Sequence, residues 1–285
     1  MPASSPPSAR GRARLLARPG RTGSGTAPAL VCPLVLAQAA EIEALPAGQF
    51  LTDATKLANG LRALHGAFGN DVIVTAAADD LAACSLAAAA AGAAGAGTAA
   101  GHPRVAAAVE ATRRLAVTAE DAALAAAVCG PARLAVQLGR SPDDQATLEE
   151  CGAVLLALAK AFLEAGANLL LLVEDEPVPA AAASGWRSAV TPLVNMARFR
   201  QAAAAVVLAD PADSALAPRG AVVCLPPEVA APGQGIALSP DPAAWPASAL
   251  RPAGVPLVTS LGPVQGGFAE CRAAVGMLTA AVAGV

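Results

Sequence analysis

Eight short apolar runs punctuate the chain, at Leu30–Ala37, Asp71–Ala77, Ala125–Gly130, Asn168–Val173, Ala204–Ala209, Ala221–Leu225, Gln234–Leu238 and Val255–Ser260. They are apolar at successive positions rather than at alternate ones, the pattern of parallel strands covered on both faces. Between them lie stretches of helical period. Thr52–Phe68 places Leu57, Leu61, Leu64 and Phe68 on one face, with Thr52 or Asp53 as N-cap. Asp80–Ala94 is an alanine-rich helix, and Pro103–Val117 opens on His102 and Pro103. Asp143–Ala165 ends at Gly166, a C-cap residue, and Trp186–Ala203 and Gly267–Val282 complete the set. The connections around 226–232 and 240–252 are proline-rich and predict only short helical turns.

Eight strands alternating with helices predict one α/β domain, a (β/α)8 TIM barrel over residues 28–285. A doubly wound sheet is the alternative, but no GxGxxG follows the first strand. The glycine string Gly92–Gly101 follows a helix, so it reads as a loop and not as a phosphate cradle. Residues 1–27 stand apart. They are rich in Arg, Pro, Ser and Gly, hold no acidic residue, and lack the apolar run of a secretory signal. The composition resembles an organelle transit peptide, but the Ala, Gly, Arg and Pro bias of the whole chain is that of a GC-rich bacterial coding sequence. The segment is read as a disordered leader without function.

Composition narrows the classes. With 55% hydrophobic and 14% charged residues the 285-residue chain is not a disordered protein. A net charge of −3 without clustered Lys and Arg gives no nucleic-acid face. No membrane span is expected: Leu81–Thr98 is nearly all Ala and Gly, and Val154–Val173 is broken by Lys160, Glu164, Gly166 and Asn168. Six scattered cysteines without a CxxC pair read as buried thiols in a reducing cytoplasm, not as disulfides or a zinc site.

In a barrel the chemistry sits at the C-terminal ends of the strands. Those ends supply Gln38, Glu41 and Glu43; Asp79 and Asp80; Cys129, Gly130 and Arg133; Glu174, Asp175 and Glu176; Asp210 and Asp213; Cys224; and Thr259, Ser260 and Gln265. Strands two, four and five all finish in carboxylates. Acids converging on one mouth raise one another's pKa, so one of them can act as a general acid near neutral pH, or the group can hold a hard cation. The competing reading is that these acids cap the helices that follow, favoured for Asp80 and Asp213. His65, inside a helix, and His102, at a helix start, read as surface and capping residues, and no Ser-His-Asp arrangement can be assembled.

Four segments in order resemble the uroporphyrinogen decarboxylase family, whose superfamily also holds corrinoid-dependent methyltransferases. The run from Pro33 to Pro46 (PLVLAQAAEIEALP) is similar to the family's opening strand and Arg-Gln-Ala-Gly-Arg-x-Leu-Pro loop. Phe68 to Asp79 (FGNDVIVTAAAD) is similar to its second strand, ending in Asp. Val128 to Ala135 (VCGPARLA) resembles the Gly-x-Pro-x-Thr-Leu-Ala turn, and Phe162 to Asp175 (FLEAGANLLLLVED) the fourth helix, Ala-Gly-Ala, strand and acid. The likeness covers roughly residues 30–210. It implies a (β/α)8 fold and decarboxylation of a tetrapyrrole or related small carboxylic acid, without a cofactor. Asp79, Glu174 and Asp175 are then the catalytic candidates, with Asp79 as electrostatic stabiliser. Gln38, Glu41, Gly130, Arg133, Asp210 and Ser260 are the substrate-binding candidates, with Arg133 as anion anchor.

The departures leave two alternatives open. Ala37 and Glu41 stand where the decarboxylase has its two carboxylate-gripping arginines, and the chain has no Tyr. The methyltransferase branch binds zinc through His-x-Cys and a further Cys. Here the matching region, Val206–Asp213 (VVLADPAD), offers only carboxylates, and Cys224 is a lone thiol, so no metal is expected. Beside the decarboxylase reading stand a methyltransferase-type group transfer, corrinoid- or metal-assisted, and a non-catalytic barrel serving as a binding or scaffold protein. The partners implied are a small-molecule substrate and, for the methyltransferase branch, a corrinoid protein; a homodimer is left open.

Overall fold

The computed structural model describes residues 8–17, 29–77, 101–245 and 254–283. Asp79, Asp80, the helix expected over Asp80–Ala94 and most of the string Gly92–Gly101 lie outside them. The strands are β1 (Leu30–Cys32), β2 (Val72–Ala76), β3 (Ala123–Cys129), β4 (Leu169–Glu174), β5 (Ala203–Leu208), β6 (Val222–Leu225), β7 (Gly235–Leu238) and β8 (Leu257–Ser260). They form one sheet in the order β1-β8-β7-β6-β5-β4-β3-β2, with every hydrogen-bonded pair parallel. Helices cover the outside, so the chain is a (β/α)8 barrel. Each predicted strand is present. The first stops at Cys32 instead of Ala37, because Pro33 has no N–H to continue the ladder.

The helices are α1 (Ala9–Leu16), α2 (Gln38–Ile42), α3 (Ala47–Phe50), α4 (Ala54–Phe68), α5 (Pro103–Thr118), α6 (Pro131–Gln137), α7 (Gln145–Ala165), α8 (Ala183–Phe199) and α9 (Phe268–Ala283). Their ends follow local chemistry. Asp53 accepts from the amides of Thr55 and Lys56, and Asp144 from those of Ala146 and Thr147. Gly166 ends α7 at φ 108°, a backbone state that few residues other than glycine adopt. After β5 the crossover carries the short 3₁₀ helix Pro211–Leu216, and among the described residues after β7 lies the 3₁₀ turn Pro242–Ala244, in keeping with the proline content.

Side chains alternate across each strand. Ala123, Ala125 and Ala127 of β3 point inward, as do Ala203, Ala205 and Val207 of β5. Between them Leu169, Leu171 and Val173 of β4 fill the space the alanines leave. The outward set, including Leu124, Leu170, Leu172 and Val206, packs under the helices in a separate cluster. Small strands flanking a large one fill the barrel to native density.

The N-terminal floor is closed by α1, inside the segment expected to be disordered. That expectation is corrected for Ala9–Leu16. Ala9 and Ala13, one turn apart, join the inner cluster. Arg10 donates through Nε to Ala122 O (2.8 Å) and through Nη2 to Ala116 O (3.1 Å) and Ala119 O (2.6 Å). Those carbonyls lie at and just beyond the C-terminal end of α5, where backbone acceptors lack helical partners and favour a cation. Arg12 pairs with Asp71, whose second oxygen accepts from the amide of Val31 at 3.0 Å. The Asp71 side chain thus spans β1 and the start of β2, the two ends of the strand order. Composition hides this helix because the residues it buries are alanines and its specificity lies in arginine–carbonyl bonds.

Replacing Arg10 by Ala is expected to lower the unfolding free energy by about 1–3 kcal/mol, the range for charge-assisted bonds whose acceptors lose their donor. Exposed Arg14 serves as control, with Arg14→Ala within about 0.5 kcal/mol of the parent in urea titrations.

Candidate functional site

The junction of β4 with α6 brings together several of the expected residues. Glu174 closes β4 on the same side as Leu170 and Leu172, facing the helix layer and not the mouth. It is 1% exposed. Its Oε1 accepts from the Ala132 amide (3.0 Å) and the Trp186 indole Nε1 (2.6 Å), and its Oε2 from the Arg133 amide (2.9 Å). Two of these donors belong to the first turn of α6, whose N-cap, Gly130, has no side chain to offer. Glu174 supplies the missing cap from a neighbouring strand. Gly130 must be glycine for a spatial reason: a Cβ there would lie 2.0 Å from Glu174 Oε1. Burial pushes the Glu174 carboxyl up from 4.5 to about 7, against the pull of the three donors.

Asp175 directly follows the last residue of β4, which sets it at the C-terminal rim. Arg133, carried on the first turn of α6, pairs with it through Nη1. The two side chains are 16% and 36% exposed, so the pair is half-buried with one side toward solvent. Arg133 and Asp175 are the sequence-predicted site residues that the structure brings together at the mouth.

The other candidates hold the frame. Gln38 is buried; its Nε2 donates to Val264 O (3.0 Å) and Gly266 O (3.1 Å), pinning the loop after β8. Ser260 Oγ accepts from the Leu34 amide (3.0 Å) and donates to Gly262 O (2.7 Å), tying the ends of β1 and β8 together. Glu41 accepts from the Phe268 amide at the start of α9 (3.2 Å). Asp210 accepts from the Ala212 amide (2.8 Å) as a cap, and buried Asp213 from the Val178 amide (2.8 Å). Among the described residues the expected acid-lined rim therefore does not form: a carboxylate at a strand end meets the unpaired amides of the next turn first. His102 caps α5 through the Arg104 amide, as expected, and His65 lies 3.6 Å from Asp121. Asp79 is not among the described residues.

One residue escaped the sequence reading. Arg104, on the first turn of α5, lines a hollow with Leu36, Leu57, Thr75, Ala77 and Ala108, at the tops of β1 and β2. Its signal was weak because it stands at a helix start rather than a strand end. No three His, Cys, Asp or Glu converge to hold a metal among the described residues. Cys32, Cys129, Cys151, Cys224 and Cys271 are free and buried. Burial pushes the Cys224 thiol up to about 12, so it is no thiolate at neutral pH. Zinc does not fit these residues. No helix among them is long and apolar enough to cross a membrane.

No protein-family model matches the chain, and no curated protein matches it in sequence. Among solved structures, a methyltransferase from Methanosarcina mazei is similar, with a TM-score of 0.71 and 14% identity, covering 97% of this chain and 98% of that one. The homocysteine methyltransferase MmuM from Escherichia coli, at 14% identity over 89% of this chain and 96% of that one, has a TM-score of 0.38. The first likeness runs from end to end of both chains and shows a shared (β/α)8 barrel. The narrower likeness to uroporphyrinogen decarboxylases, seen in four sequence segments, has no matching family model.

Gly130→Ala is expected to destabilise the fold by about 1–3 kcal/mol through overpacking against Glu174. Combined with Glu174→Ala, which clears the space, the two costs should fall short of additivity by a comparable amount. Denaturant unfolding of the four proteins of this cycle measures the coupling.

Proposed function

We propose that the chain is a methyltransferase-type group-transfer barrel that binds a small anionic substrate at its C-terminal mouth. The observation that carries this reading is the Arg133–Asp175 pair, a guanidinium held at the rim by an acid on the neighbouring strand end. The end-to-end likeness in fold to a methyltransferase supports it by analogy, since fold does not dictate chemistry. Tetrapyrrole decarboxylation has less support: Glu41 stands where a gripping arginine is needed, and it is engaged with the Phe268 amide.

In methyl transfer a nucleophile on the acceptor attacks the methyl carbon, and the donor keeps the bonding pair. A methylated corrinoid carried by a partner protein would be the methyl donor, and Arg133 would hold the acceptor's anionic group beside it. The chain's own part is binding and aim. Arg133 exchanges part of its bond with Asp175 for the substrate's carboxylate, whose planar pair of oxygens its fork matches. Asp175 keeps the guanidinium from folding away. Apolar side chains of the inner cluster beneath the rim, such as Val173 and Val207, keep water from competing. No step uses a metal held by these residues. The buried free thiols suit a reducing cytoplasm.

Purified protein mixed with methylcobalamin and a carboxylated thiol such as mercaptopropionate is expected to speed loss of the methyl–cobalt absorbance over the protein-free rate. Arg133→Ala should slow this about tenfold or more, the effect of losing one charge-assisted bond in the transition state. No acceleration, with uroporphyrinogen losing CO2 instead, returns the assignment to a decarboxylase. Neither reaction, with no small anion bound, leaves the scaffold reading.

A further inference from the structure

Glu174 was singled out as a catalytic candidate, yet it touches nothing at the mouth. What it touches is the backbone that carries the mouth's arginine. Its oxygens meet three donors, and one of them, 2.9 Å away, is the amide of Arg133 itself. The guanidinium at the rim is thus fastened, through its own main chain, to a carboxylate buried one layer down. Gly130 leaves the carboxylate its space, and Trp186 of α8 clamps it from the far side.

Each hydrogen bond to Glu174's oxygens comes from an N–H donor. A proton on the carboxyl weakens these bonds, because a neutral carboxyl accepts less strongly than a carboxylate. We propose that Glu174 is a positioning residue that regulates this site by proton uptake: as an anion it anchors the first turn of α6 and keeps Arg133 aimed at the mouth, and on protonation that turn loosens and the anion site weakens. The inference rests on the reading of Arg133 as substrate anchor.

The surroundings make the event a single step. Burial sets the carboxyl at about 7, with Asp175 adding to the rise. Cys129 at the end of β3 and Cys151 on α7 face the same site. Burial pushes both thiols up, Cys151 to about 11, so both stay neutral while Glu174 titrates. On α8, Arg187 points away, to Ala215 O and Leu216 O. Because the folded carboxyl lies above its ordinary 4.5, its contribution to stability is full below 4.5 and is lost as pH rises through about 7. Affinity for an anion at the mouth runs the other way, rising through the same window.

The chain has two tryptophans, so Trp245→Phe leaves Trp186 as the sole indole. In that protein, nitrogen–proton NMR spectra are followed from about pH 5 to about pH 9, spanning the ordinary and shifted carboxyl ranges. The Trp186 indole and Arg133 Nε resonances are expected to move together with one midpoint near 7. In Glu174→Gln both should be flat. Trp186→Phe removes one donor to the anion and keeps the carboxyl, so the Arg133 midpoint should rise; this variant decides if the first does not fold. Flat resonances in the parent, a midpoint that persists in Glu174→Gln, or one unmoved in Trp186→Phe overturns the proposal. Neither readout needs turnover. Titration without methyl transfer removes only the function proposed above, and methyl transfer with flat resonances removes only the role of Glu174.

Discussion

A carboxylate taken out of water must be met by donors, and in this barrel that requirement organises the rim. Glu174 satisfies two amides at the start of α6 and the indole of Trp186, and so joins sheet, short helix and long helix at one point. Desolvation opposes this arrangement and the donors favour it; burial prevails in the carboxyl's raised pKa. The geometry tolerates no side chain at Gly130 and dictates where residue 133 leaves its helix. The polar chemistry of the mouth is therefore set from below.

The strand pattern was legible because parallel strands are apolar on both faces and leave continuous runs. The long helices were legible from caps such as Asp53, His102 and Gly166. The helix at Ala9–Leu16 was not, since it buries two alanines and owes its place to arginines that seek carbonyls far along the chain. The acids at strand ends were ambiguous for a different reason: the residue pattern of a catalytic carboxylate and of a helix cap is the same. Between Glu174 and Asp175 one signal could have decided. Leu170, Leu172 and Glu174 share a parity that points to the helices, opposite to that of Leu171 and Val173, whereas Asp175 lies just beyond the strand. Glu41, standing where a resembling family has arginine, was visible as a departure; its work at the start of α9 was visible only in three dimensions.

Fold and chemistry separate cleanly in this protein. The barrel is shared along its whole length with a methyltransferase at 14% identity. Conserving such a scaffold at so low an identity asks only for strand apolarity and filled interior layers, which Ala and Leu supply here in alternate strands. The residues that tell one reaction from another are few, and most strand-end candidates are committed to holding loops.

The side chain of Asp71 carries the join between β1 and β2, with Arg12 clasping it from below. A ladder resists shear through many equivalent bonds; a carboxylate latch has one place to let go. The barrel is accordingly a hoop with a buckle, and a stress that pries it apart will part it there first. Because the buckle's tongue lies on α1, cutting the chain just beyond Ala17 should unfasten a ring whose strands are all still present.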